Sequence, residues 1–330
     1  MNAKHLRSEG RQVSCALLTM SHSPLLHEVK PSPEVTAEVE AALENARSFV
    51  TGFDPDLIVS FAPDHYNGFF YELMPPYCIG LDAVSIGDFG SQAGKLDVPY
   101  ELAQSLSASV LTAGVDAAVS LRMEVDHGAV QPLEIVYGDI RAKPVIPVFV
   151  NAVAPPFAPM ARIRALGEAI GRWASELDKR VLFIASGGLS HDPPVPRLAE
   201  ATDEQRRLLV GAGRNLSPEA RAAREQRTIA TARAFARGEA DIMDLAPDWD
   251  RELMRILASG ELPALDSWSP EWMQEVAGHS SHEVRTWFAG YAALGSCGEY
   301  AVRYSYYRPI PEFIAGFGLT TVELVAESPR

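Results

Sequence analysis

RIRALGEAIGRWASELDKRVLFIASGGLSHDPP, residues 162–194, holds the pattern that decides the fold. Arg162–Asp178 reads as a helix, and the apolar strand Val181–Ser186 follows it directly. A glycine- and proline-bearing loop then carries His191. The same grammar recurs upstream. Val13–Met20 is an apolar run of strand length, followed by the loop SHSPLL with His22. Pro33–Phe53 is a helix: Val35, Val39, Ala42, Leu43, Ala46 and Val50 keep helical spacing, and Gly52 lies near its end. Leu57–Ala62 is a buried strand by length and β-branching, ending at PDHYNGFF with His65. Residues 99–113 read as a helix and Val145–Val150 as another strand. Strands that alternate with helices argue for an α/β layered sheet.

The remaining text is less regular. Residues 63–100 are rich in glycine, proline and aromatics and read as a long ordered loop. Residues 200–238 are charged and helical, a solvated amphipathic helix pair or a surface for a partner. Residues 250–294 hold two or three more helices, and the C-terminal stretch mixes aromatics, two prolines and a final apolar run. No internal repeat or Ser/Gly linker divides the chain, so the expectation is a flexible tail over 1–12 and a single domain over 13–330.

Composition limits the partners. The chain is 47% hydrophobic with a formal net charge of -14, which disfavours a general nucleic-acid or anionic-membrane surface. Three scattered cysteines (Cys15, Cys78, Cys297) form no CxxC pair or disulfide framework, as expected for reduced thiols in the cytoplasm. The polar start lacks a signal-peptide core, and no apolar run approaches the ~20 residues of a membrane span. GxSxG, P-loop and Rossmann signatures are absent.

Chemistry concentrates in four histidines, each in a short loop after an apolar run: His22, His65, His127 (in VDHGAVQP) and His191. In α/β sheets, loops at the carboxyl ends of strands bind ligands. Imidazole is a common ligand for Fe, Zn and Cu, and it titrates near neutral pH as an acid or base. The pattern leaves open whether each is a ligand, a proton carrier or a buried structural residue. Asp64, Asp126 or Asp192 could orient a neighbouring ring. Glu283, on the first turn of a helix that Ser281 could cap, is either a surface acid or the carboxylate of a two-His-one-carboxylate site.

SHSPLL, FAPDHYNGFFYELMPPYCIG, IGDFGS, VDHGAVQPLE, PVFVNAVAPP, RVLFIASGGLSHDPPVP and YYRPIPEFIAGFG together resemble the LigB-like, class III extradiol ring-cleaving dioxygenases, from about Val13 to Gly318. The resemblance implies a three-layer α/β/α fold with a central mixed sheet and a homo-oligomer. It implies mononuclear non-haem Fe(II) held by His22, His65 and Glu283, with His127 as proton donor and His191 as proton acceptor. The implied reaction opens a catechol with O2, here one carrying a propionate side chain. An arginine fork matches a carboxylate, and Arg308 and Arg303 are the candidates for it. A zinc hydrolase and a non-catalytic module on the same fold are the competing readings.

Overall fold

The computed structural model describes residues 14–326; the expected tail, residues 1–12, lies outside them. In chain order the elements are β1 (Ser14–Met20), α1 (Pro33–Phe53), β2 (Leu57–Ala62), β3 (Tyr77–Gly80), β4 (Ala83–Ser85), β5 (Gly94–Lys95), α2 (Tyr100–Thr112), β6 (Ala118–Ser120), β7 (Met123–Val125), α3 (His127–Tyr137), β8 (Val145–Val150), α4 (Met160–Ser175) and β9 (Arg180–Ser186). There follow α5 (Asp203–Val210), α6 (Pro218–Ala236), α7 (Pro247–Ser259), α8 (Pro270–Ala277), α9 (Val284–Cys297), β10 (Tyr300–Ile310) and β11 (Ala315–Leu324).

Eight strands form one mixed sheet in the order β10-β11-β1-β9-β2-β8-β3-β6. Its centre, β1-β9-β2-β8, is parallel, and β11 and β3 join it antiparallel on either side. The two-residue period of a strand sends alternate side chains to opposite faces. Leu17, Val59, Phe61 and Phe183 therefore pack on one face with Leu106 of α2, Ile163 and Ile170 of α4, and Trp287 of α9. Leu18, Ile58, Leu182 and Ile184 pack on the other with Val39 and Leu43 of α1 and Val130 and Leu133 of α3. Helices thus flank the sheet on both faces, giving the three-layer α/β/α architecture expected from the sequence.

Two local readings are corrected, and one unassigned stretch takes a definite form. The stretch 63–100 is not one long loop: it contains β3, buried in the large sheet, and β4 and β5, which with β7 make a separate three-stranded sheet. The C-terminal aromatics belong to the long antiparallel hairpin β10–β11. Ser281 does not cap a helix. It lies in a 3-10 turn, Ser281–Glu283, its hydroxyl donates to the carbonyl of Met273, and α9 begins at Val284.

Helices α4 and α9 lie in close contact because their facing positions are small. A Cβ added at Gly171 would sit 2.0 Å from the carbonyl oxygen of Ala293, and one at Gly167 2.3 Å from that of Ala289. Backbone cannot yield as a flexible side chain can, so α4 would have to move. Gly171→Ala is expected to destabilise the fold by about 1–3 kcal/mol, despite alanine's better helix propensity. Gly52→Ala, in α1 with open space around it, is the control and should be neutral or slightly stabilising. Equal denaturant midpoints for the two variants would contradict this account of the helix pair.

Candidate metal centre

The order β1-β9-β2 sets three parallel carboxyl ends side by side, and the segment after each bears a histidine. His22 lies two residues past β1, His65 three past β2 and His191 five past β9. His127 arrives differently. It is the first residue of α3, directly behind β7 of the small sheet, rather than a loop residue of the large one.

Three of the rings meet directly, and the fourth, His191, joins them through Glu283. His22 is 5.3 Å from both His65 and His127, centroid to centroid, and His65 stacks on His127 at 4.7 Å. Glu283 completes the group from the turn ahead of α9. It is 2% exposed, so it is no surface acid. Its Oε1 lies 3.1 Å from Nε2 of His65 and 3.1 Å from Nε2 of His191, and its Oε2 lies 3.4 Å from Nε2 of His22. The amide of Gly188 donates to Oε2 at 2.8 Å. Gly187 makes the approach possible, since a Cβ there would fall 2.5 Å from the carbonyl oxygen of Glu283.

The far nitrogen of each ring is tied down, which decides what the near one can do. Nδ1 of His65 donates to Asp126 Oδ2 (3.0 Å), and Nδ1 of His191 donates to the carbonyl of Leu189 (2.8 Å). With those protons placed, the neutral rings turn Nε2 lone pairs toward a carboxylate oxygen. Two lone pairs facing an anion require a cation between them, either a proton or a metal ion. Nδ1 of His22 shares a hydrogen bond with Ser186 Oγ (3.0 Å), leaving its Nε2 toward Glu283 as well. Three imidazoles thus converge on one carboxylate, and two of them with Glu283 would make a facial metal-binding triad.

The charge balance agrees. Burial, aided by neighbouring histidines, holds His22 at about 3, a neutral ring able to coordinate. Burial pulls His65 and His191 down too, but Asp126 and Glu283 lift His65 well above the ordinary value, and Glu283 raises His191. Burial pushes the Glu283 carboxyl up, and His191 and His22 outweigh it, leaving an anion.

Two other groupings place donor atoms close enough to share an ion: His22, His65 and His127, and Asp88, Asp126 and His127. The second is occupied by internal bonds. Asp88 takes the amide of His127 on Oδ1 (2.8 Å) and its Nδ1 on Oδ2 (2.6 Å). Asp126 takes the amide and Nδ1 of His65 and the side chain of Asn67 on Oδ2, and the amide of Gly128 on Oδ1. These two acids orient rings rather than face an ion. In the first grouping, His127 offers only Nε2, and it lacks the carboxylate that His22 and His65 share.

None of the three candidate orienting acids holds the histidine next to it in sequence. Asp126 orients His65 across space, not its neighbour His127, which Asp88 orients. Asp64 caps its own loop through the amides of Asn67, Gly68 and Phe69, and burial beside Asp126 lifts it to about 7. Asp192 pairs with His279, not His191. Asp88 was visible only as part of IGDFGS, and nothing in that motif alone marks its role.

A cavity of about 550 Å³ opens onto the five side chains. Leu25, Phe313, Ile314 and the prolines 193, 194 and 196 line it, with Leu208 and Leu209 of α5 and Arg224, Arg227 and Thr228 of α6. The charged 200–238 segment is therefore a wall of this cavity as well as a solvated face. Tyr66 (φ 55°), Phe89 (φ 47°) and Ile314 (φ 52°) also line it, three bulky residues in the left-handed region. Strain of this kind persists where the surroundings over-determine it, as functional sites do. Of the aromatics in the stretch YNGFFYELMPPY, residues 66–77, Tyr66 lines the cavity, whereas Phe69 stacks on Phe149 and Phe70 is buried. The structure does not bring Arg303 or Arg308 here. Arg303 of β10 pairs with Glu323 of β11, and Arg308 of β10 pairs with Glu38 of α1.

Residues 16–318 match the family model described as the catalytic LigB subunit of aromatic ring-opening dioxygenase. A Rhodococcus globerulus protein named 2,3-dihydroxyphenylpropionate/2,3-dihydroxicinnamic acid 1,2-dioxygenase is 58% identical over 94% of this chain and 98% of its own length. Proteins of the same name from Rhodococcus rhodochrous (57% identity, 95% and 99% of the two chains) and Paraburkholderia xenovorans strain LB400 (54%, 94% and 98%) are similarly close.

Removing an orienting acid frees the ring it holds. Asp126→Asn is expected to weaken metal uptake about 10- to 100-fold while the protein stays folded. Asp192→Asn, whose partner is His279, should leave uptake unchanged. Anaerobic titration with Fe(II) or Co(II) checks this, and equal affinities in the two variants would contradict the orienting role.

Proposed function

The chain belongs to the LigB family of aromatic ring-opening dioxygenases, and from that premise we propose that it opens 2,3-dihydroxyphenylpropionate, and 2,3-dihydroxycinnamate, by extradiol cleavage with O2 at a mononuclear Fe(II). The single observation that carries the reading is the convergence of His22, His65 and His191 on the buried carboxylate of Glu283. The relatives' printed names supply the substrate. In the proposal the bond between the carbon bearing the side chain and the adjacent hydroxylated carbon breaks. The first becomes a ketone and the second a carboxylate, both atoms of O2 are retained, and 2,3-dihydroxyphenylpropionate gives 2-hydroxy-6-oxonona-2,4-dienedioate.

His22, His65 and Glu283 hold the iron in this scheme. Bound there, Fe(II) supplies open positions for both catechol oxygens and O2 and a route for electron density from ring to oxygen. The protein's own contribution is placement and proton transfer. His191, its Nδ1–H fixed on Leu189, presents Nε2 to the cavity and takes a hydroxyl proton from the entering catechol. His127, its Nδ1 fixed on Asp88, has Nε2 free to deliver a proton to the departing oxygen as the O–O bond breaks. Tyr66 and Phe89 wall the ring, Phe89 meeting the edge of His127 at 5.1 Å. The reading extends to one catalytic unit over 13–330, a homo-oligomer and a cytoplasmic location, where the three free cysteines stay reduced.

Anaerobic loading with Fe(II), then a catechol panel in air, tests the function: one O2 consumed per substrate with a yellow product is expected, and no uptake with any catechol overturns it. His127→Phe and His191→Phe should keep iron and lose cleavage by about 100-fold or more. His22→Ala, His65→Ala and Glu283→Ala should lose iron. A fully loaded and active Glu283→Ala enzyme removes Glu283 from the centre.

A further inference from the structure

Helix α6 shows one face to the cavity: Arg224, Arg227, Thr228 and Thr231 follow the i, i+3, i+4, i+7 spacing of a single stripe. Among the described residues lining this largely apolar space, these two arginines supply the permanent cations. Neither has an acid. Arg224 donates to neutral acceptors, Asn67 Oδ1 at 2.7 Å and the carbonyl of Tyr66 at 3.5 Å. The guanidinium of Arg227 makes no ion pair or hydrogen bond with a described residue. What sets them apart from other arginines without an acid partner, such as Arg206 and Arg233, is that both line the cavity. Arg214, just ahead of α6, is held by both Glu72 and Glu124, and Arg180 by Asp54 and Asp56. Two unpaired guanidinium groups three residues apart repel each other until an anion lies between them.

We propose that Arg224 and Arg227 form the subsite that receives the substrate's side-chain carboxylate, and so set the enzyme's preference for catechols with a short anionic side chain. The assignment rests on the catechol reading of the metal centre and replaces Arg303 and Arg308 in this role. It also explains how side chain and ring are held in step. Asn67, which accepts from Arg224, donates its amide to Asp126 Oδ2 at 2.9 Å, and Asp126 holds His65. The anion subsite and the metal ligand are joined through two side chains of one network, so a carboxylate seated on α6 meets the iron site at a set spacing.

Two measurements decide it. The first is equilibrium binding of 3-phenylpropionate, which carries the side chain without the hydroxyl pair and needs neither iron nor ring opening. The parent protein should bind it, and Arg224→Gln/Arg227→Gln should bind about 10- to 100-fold more weakly, as loss of charge-assisted hydrogen bonds predicts. Arg233→Gln, on the same helix but off the cavity, should bind as the parent does. The second compares 2,3-dihydroxyphenylpropionate with uncharged 3-propylcatechol. Each arginine variant should lower kcat/KM for the acid more than for 3-propylcatechol, so that the preference for the anionic side chain shrinks. Unaltered 3-phenylpropionate binding in the double variant overturns the subsite, even in an enzyme that opens every catechol offered. Retained 3-phenylpropionate discrimination with no ring cleavage supports it and overturns the catechol reading instead.

Discussion

A carboxylate with almost no access to water, set among three imidazole nitrogens, is the constraint that the rest of this structure serves. Burying an ion costs several kcal/mol unless partners compensate. Glu283 has the Gly188 amide and Nε2 of His22, His65 and His191, and little else. Those partners must arrive together. They do because β1, β9 and β2 are parallel neighbours, so their carboxyl ends open at one place, and because Gly187 lets the turn before α9 press against the end of β9. A sheet order that separated β1 from β2 by more than β9 would leave the acid without its ring of histidines.

The two sheets divide the work. The large one delivers His22, His65 and His191. The small one delivers His127 on α3, while the segment between its strands β4 and β5 delivers Asp88, which fixes that ring through both its amide and its Nδ1. Asp126, the cap of α3, crosses back to fix His65, and Asn67 binds Asp88 and Asp126 alike. His65 and His127 therefore have their tautomers set by acids from another part of the chain, and His191 by the carbonyl of Leu189 two residues away. Rigid rings are what proton transfer and coordination both require.

Much of this was legible in the sequence, and the rest was hidden for physical reasons. Long apolar strands and the periodic helix α1 were visible because burial on both faces, or along one stripe, leaves a strong pattern. Strands of two to four residues among glycines and prolines leave none, so β3, β4 and β5 passed as loop. The four histidines were found from their place after apolar runs. Their orienting acids were not, because a hydrogen bond across 39 or 61 residues has no local signature. Arg308 attracted notice beside tyrosines and prolines, yet Glu38 of α1 lies within reach of it, a fact of packing rather than of order along the chain.

Helix α6 shows why composition underdetermines a charged helix. Its polar residues suit a solvated face, and most of that face is solvated; only Ile229 and Ala232 are buried. What separates a solvent-facing helix from the wall of a binding cavity is where its charges point. Arg233 of the same helix reaches the carbonyl of Glu28 away from the cavity, whereas Arg224 and Arg227 line it. Arg224 and Arg227 face a space whose one carboxylate among the described residues, Glu283, already has its histidines. The guanidinium groups remain open toward the cavity, and the anion that would satisfy them has to come from outside the chain.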